Sequence, residues 1–104
     1  LAPDMNLGAV VEANGEPLYV NGEEFNDTTA IMSLLYPDSQ SIVYAFVEGE
    51  DRQLTEDSPI FTVVYVTPDT MDFIISTNPF DDWKGYLPYD EYMDGIFDNN
   101  PQGN

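Results

Sequence analysis

A chain of 104 residues suffices for one compact domain and is short for two, so residues 1–104 are read as a single acidic domain. Twenty Asp and Glu stand against two basic residues, Arg52 and Lys84, with no histidine, for a formal charge of −18. A polyanion of this density has no basic patch with which to hold nucleic acid or an anionic membrane, and the lack of Cys and His removes disulfides, thiolate nucleophiles, sulfur-ligated metals and the commonest general base.

The chain opens on Leu1, which fits removal of a leader or trimming; no stretch joins the charged and apolar regions of a signal peptide, and no apolar run approaches the ~20 residues that cross a bilayer. The apolar run 9–13 is followed by Asn14-Gly15, residues 16–20, Asn21-Gly22 and residues 23–25. This predicts a small meander turning at both Asn-Gly pairs, because the central residues of a type I′ turn need positive φ. Pro17 has no amide to donate, which sets its strand at an edge or starts it there. Asn26-Asp27-Thr28-Thr29 predicts a helix N-cap, with Ala30, Ile31, Leu34 and Leu35 at helical spacing and Pro37 as the stop, giving a short helix over 28–35. The same Asn26-Asp27-Thr28 spells a glycosylation sequon, for which capping is the simpler account.

Residues 41–47, 60–66 and 73–75 are rich in β-branched and aromatic side chains and predict a central three-stranded antiparallel sheet. The polar stretch 48–58 then serves as a flexible hairpin loop and 67–70 as a turn. Beyond Asn78-Pro79 the composition shifts towards Asp, Tyr, Gly and Pro. Pro88 fits the first turn of a helix reaching Met93 or Asp94, with Asp90 and Glu91 near its positive end and Gly95 as its stop; residues 98–104 are expected to form a flexible tail. The expected fold class is α+β: a small antiparallel β-sheet or meander of about five strands with one or two short helices.

Catalysis would have to rest on carboxylates, Lys84 or a hydroxyl. Twenty acids place some pair at glycosidase spacing by chance, and Lys84 beside Asp81 and Asp82 has its charge favoured rather than suppressed. The expectation is a non-enzyme without cofactor. The spacing Asp90, Asp94-Gly95, Asp98 superficially suggests a calcium loop, but Tyr92 and Pro101 stand where such a loop needs an oxygen ligand and a bidentate Glu, so no metal ligand is assigned. For Asp81, Asp82 and the cluster Glu48, Glu50, Asp51, a solvated charge run is the simpler reading than weak cation binding.

The charge itself exceeds what solubility asks of a small domain, about 2–8 in magnitude, and neighbouring carboxylates within ~8 Å repel one another. Folded elements can hold carboxylates at phosphate-like intervals: i, i+2 on a strand, as for Glu48 and Glu50, or i, i+4 on a helix, as for Asp90, Asp94 and Asp98 if Gly95 did not intervene. Phe80, Trp83, Tyr86, Tyr89, Tyr92 and Phe97 supply either anchoring contacts for such a surface or packing against the sheet. In charge, size and lack of catalytic groups the chain resembles the DNA-mimic proteins, a functional class that includes phage anti-restriction and anti-CRISPR inhibitors; these share no motif or fold, so the resemblance transfers no residue roles.

The expected function is therefore a non-enzymatic acidic inhibitor occluding the basic groove of a nucleic-acid-binding protein, with nuclease-immunity proteins using the same physics. The expected partner-binding residues are Glu48, Glu50, Asp51, Asp81, Asp82, Trp83, Asp90, Glu91, Asp94 and Asp98. The alternative is a structural or surface protein, such as a virion decoration subunit or secreted module, with a capsid or self-assembly partner. The first implies a cytoplasmic protein, the second a virion or extracellular one.

Overall fold

The computed structural model describes residues 6–99. Five antiparallel strands, β1 Tyr19–Asn26, β2 Thr29–Tyr36, β3 Ser41–Glu48, β4 Ile60–Tyr65 and β5 Asp81–Asp82, form one sheet in the order β4-β3-β2-β1-β5. Three short helices complete the α+β fold: α1 Leu7–Asn14, α2 Pro68–Thr77 and α3 Tyr89–Asn99.

The strands alternate between two faces, as a two-sided sheet requires, with irregularities between Glu24 and Asn26 and at Phe61. Val20, Ala30, Met32, Leu34, Tyr36, Val43, Ala45 and Val47 lie on one face, buried beneath Leu7 and Val10 of α1, Leu54 of the connecting loop, and Tyr89 and Tyr92 of α3. The opposite face is covered only at one end, where Met71, Ile74 and Ile75 of α2 pack on Leu35 and Ile42. Truncating a side chain of the first cluster, for instance Leu34→Ala, costs about 2–5 kcal/mol.

Several sequence expectations are overturned. Residues 28–35 are strand β2, not a helix: β-branched Thr29 and Ile31 alternate with buried Ala30, Met32 and Leu34, and a period of two serves a core that lies on one side. The Asn26 side chain does not cap a helix. It accepts bonds from Thr28 N (2.9 Å) and Thr28 Oγ1 (3.1 Å), closing the β1–β2 hairpin turn. Residues 73–75 belong to α2, not to a strand, because Thr67 caps the helix by accepting from Thr70 N at 3.2 Å and Pro68 and Asp69 occupy its first turn. The predicted turn at 67–70 is therefore the start of that helix.

Residues 9–13 lie in α1, which Asn6 caps through Ala9 N (3.0 Å), and Gly15 ends it at φ +82°. Asn21-Gly22 makes no turn; it lies within β1. A Cβ on Gly22 would sit 2.8 Å from the Tyr89 ring and 3.0 Å from Met32 Sδ, so glycine is required there for close packing of α3 on the sheet. The 48–58 loop is anchored by buried Arg52, Leu54 and Ser58. Gly95 does not stop α3, which runs on through Asp98 and Asn99; the rest of the expected tail lies outside the described residues.

Candidate protein-interaction surface

Both basic side chains are paired with carboxylates, Arg52 buried and Lys84 at the surface. Arg52, with φ +46° in the turn that follows β3, is 7% exposed. Its guanidinium pairs with Glu24, donates to the Asn26 carbonyl at 2.9 Å and to Asp90 Oδ1 at 3.0 Å, and lies 4.5 Å from the centre of the Tyr89 ring. The bond to Glu24 is the main cause holding its pKa above the ordinary value, partly opposed by burial. Tyr89 is in turn raised, first by burial and then by the field of Glu24, with Asp90 and Glu23 adding to it. Lys84 Nζ lies 2.6 Å from Oδ2 of Asp81, which is 1% exposed and whose Oδ1 accepts from Asp82 N at 2.9 Å. A Cβ at position 95 would collide with Asp81 Oδ2, so Gly95 is what lets α3 pass over this pair.

With Arg52 buried and Lys84 paired at β5, one end of the sheet is left strongly anionic. The β1–β2 hairpin tip carries Glu23, Glu24 and Asp27, all exposed. Thr29 pairs with Glu48 at the end of β3, and Gly49 N donates to the Thr28 carbonyl at 3.0 Å, which sets the exposed Glu50 and Asp51 against that tip. Arg52 then ties Glu24 to Asp90, from which Glu91 and Asp94 continue along the exposed side of α3.

The open end of the second sheet face adjoins these acids and carries a row of phenylalanines. Phe25 and Phe46 meet edge to face with centroids 6.5 Å apart, and Phe46 and Phe61 likewise at 5.2 Å. Phe25 is 59% and Phe61 56% exposed, well above what a ring in a core shows. Alternation puts Glu23 and Glu48 on this same face, at its margin. An apolar centre with a charged border is the usual anatomy of a protein–protein contact surface.

Of the expected residues, Glu48, Glu50, Asp51 and Asp90 are brought to one end, and Glu91, Asp94 and Asp82 are exposed on α3 and β5. Glu50 lies beyond β3 in a turn, so it does not share a strand with Glu48. Asp90 and Asp94 sit one helical turn apart on α3, which also runs on past Gly95; the side chain of Asp98 lies outside the described residues. Asp81 is interior and contributes no surface. The late aromatics pack the core: Trp83 stacks on Tyr92 at 6.4 Å and meets Tyr86 edge-on at 5.5 Å, Phe80 packs under α2, and Tyr89 and Tyr92 are buried. The side chain of Phe97 lies outside the described residues.

Sequence reasoning missed Glu23, Glu24, Asp27, Phe25, Phe46 and Phe61. Their signal was the approach of phenylalanine to acid in Glu23-Glu24-Phe25 and in Phe46-Val47-Glu48. Among the described residues, no three acidic side chains converge closely enough to hold a metal ion, and no helix is long and apolar enough to cross a membrane. Comparison with family models, curated proteins and solved structures finds no match to this chain.

Proposed function

We propose that this protein is a non-enzymatic acidic inhibitor that occludes the basic groove of a nucleic-acid-binding protein, in the manner of the DNA-mimic class. The observation that carries this reading is the row Phe25–Phe46–Phe61 bordered by acids at the end of the sheet where Arg52 and its partners gather. Carboxylates draw a cationic partner in and set the encounter rate, while exposed aromatic rings slow its release. With Arg52 buried and Lys84 paired to Asp81, the surface offers a basic groove little uncompensated positive charge to repel it. The mechanism is competitive occlusion.

The test is affinity capture from a lysate of the source cell at low and high salt. The expected result is a basic nucleic-acid-handling protein that elutes as salt rises; recovery of none overturns the proposal. The second reading, a structural or surface subunit, is favoured by one separate observation: the uncharged edge strand β4.

A further inference from the structure

The run from Ser58 to Pro68, between Asp57 and Asp69, is the longest uncharged stretch of this acid-rich chain, and it forms the edge of the sheet. Natural edge strands are usually blunted by charges, prolines or bulges because their free N–H and C=O groups recruit other strands. Here Asn6 bridges to Pro59 just before β4 and a bulge at Phe61 disturbs its start, while the remainder, Thr62-Val63-Val64-Tyr65, is bare of charge and has no strand on its outer side among the described residues. Val66 N donates to the Gln40 carbonyl at 2.9 Å, so in the antiparallel alternation Val64 and Thr62 bond inwards to β3 while Val63 and Tyr65 direct their N–H and C=O outwards. Tyr65 is 77% exposed and Val64 40%. Helix α1 stands alongside, separated from the strand by a groove lined by Ala9, Ala13, Val63 and Tyr65.

We propose that β4 pairs antiparallel with β4 of a second copy of this chain, about a two-fold axis at Val64, joining two five-stranded sheets into one of ten. In that register Val63 of each copy exchanges both main-chain hydrogen bonds with Tyr65 of the other, Val64 meets its own equivalent, and Tyr65 packs over the facing Val63.

Charge selects this occupant. A two-fold contact sets each residue near its own copy, so any acid on the edge would meet an acid; a chain of charge −18 can pair with itself only through a segment free of them. The acids of β1, Glu23 and Glu24, lie three strands away, about 14 Å at ordinary strand spacing and beyond a Debye length of ~8 Å. Pairing through β4 leaves those acids at the two outer ends of the joined sheet. The inference does not rest on the inhibitor reading: pairing uses the outward main-chain groups of Val63 and Tyr65, and the two surfaces share strand β4 only at the bulged Phe61.

Sedimentation of the full chain over a concentration series, at low and high NaCl, tests it. The expected result is a species of twice the chain mass whose share grows with concentration and with salt, because screening relieves repulsion between the flanking acids Asp57 and Asp69 of the two copies. Tyr65→Lys and Val64→Lys, both at exposed positions, should give monomers at every concentration with an unchanged circular-dichroism spectrum. Amide exchange gives a readout that needs no substitution: Val63 and Tyr65 should become protected as concentration rises, while Val64 is protected throughout. A monomer at all concentrations in high salt overturns the proposal, as does a dimer that survives both substitutions. Protection of Val63 and Tyr65 that does not change on dilution also overturns it, since the edge would then be covered within a single chain.

Discussion

At the β1/β5 side of the sheet the strands are overlain by α3 and flanked by Glu23, Glu24, Asp90, Glu91 and Asp94, whereas β4 at the other side lies in a run with no charge. The acidic side contains both basic residues of the chain, each held by carboxylates: Arg52 ties α3 to the sheet through Asp90 and Glu24, and Lys84 pairs with Asp81 of β5. The uncharged side has no need of such pairs. Net charge alone therefore says little about how a surface behaves; its distribution gives this molecule one region that should bind less tightly as salt rises and one that should bind more tightly.

The largest effect expected at the acidic end is on partner binding. Phe25→Ala combined with Phe61→Ala removes two exposed anchors at about 2 kcal/mol each, which weakens binding by roughly a thousandfold if the two act independently. The same substitutions change folding stability by less than ~1 kcal/mol, because neither ring is buried. Calorimetric titration against the captured partner and urea denaturation measure the two quantities; a large loss of stability with unchanged binding would assign the rings to the fold.

Next comes Gly95→Ala. The added methyl meets the Asp81 carboxylate that Lys84 holds, so the predicted loss is about 1–3 kcal/mol in urea denaturation. Tyr65→Lys on the uncharged side should cost less than ~0.5 kcal/mol in the monomer. Equal losses at the two positions would erase the contrast between a side tied together by ion pairs and one left open.

The pH dependence probes the closed face of the sheet. Burial, ahead of nearby negative charge, pushes the hydroxyls of Tyr36 and Tyr92 up to about 12, and Tyr92 also donates to the Gly85 carbonyl at 2.5 Å. An unfolded tyrosine ionises near ~10. Between those values the unfolded chain has released protons that the folded chain keeps, so the stabilisation is complete below about pH 10 and is lost as pH rises towards 12. Melting temperature followed from pH 9 to 12 should fall through that window, and Tyr92→Phe should reduce the slope; a flat curve would mean the rings are wet.

The smallest effect is that of salt on the isolated chain. Screening relieves repulsion among the uncompensated acids, so the melting temperature of a dilute monomer should rise with NaCl. A flat or falling response would mean that these charges are already neutralised.

Much of the sheet was legible in the sequence because β3 and β4 are built almost entirely from β-branched and aromatic residues with no competing period. Helix α3 was legible from Pro88 and the acids of its first turn, though not its length, since the reason Gly95 is tolerated is the Asp81 carboxylate lying against it from β5. β2 was misread because Ala30, Ile31, Leu34 and Leu35 satisfy helical spacing as well as alternation, and tertiary context, with β1 and β3 on either side, decides between them. Residues 73–75 were misread for the converse reason: three strand-forming residues follow a Thr67 cap and Pro68 whose helical signal is stronger than their propensity. The acids of the candidate surface were half legible, since Glu48, Glu50 and Asp51 are neighbours in sequence, whereas Asp90 joins that end through Arg52, a contact between residues 38 positions apart that no local pattern encodes. The phenylalanine row spans strands β1, β3 and β4 and becomes visible only once register is known.

The most direct measurement is displacement of labelled duplex DNA from the captured partner, followed by fluorescence anisotropy as the chain is added. The account predicts complete displacement, with more chain needed as ionic strength rises and almost none achieved by the Phe25→Ala, Phe61→Ala variant. A ternary complex, in which the partner holds the chain and its DNA together, would contradict it.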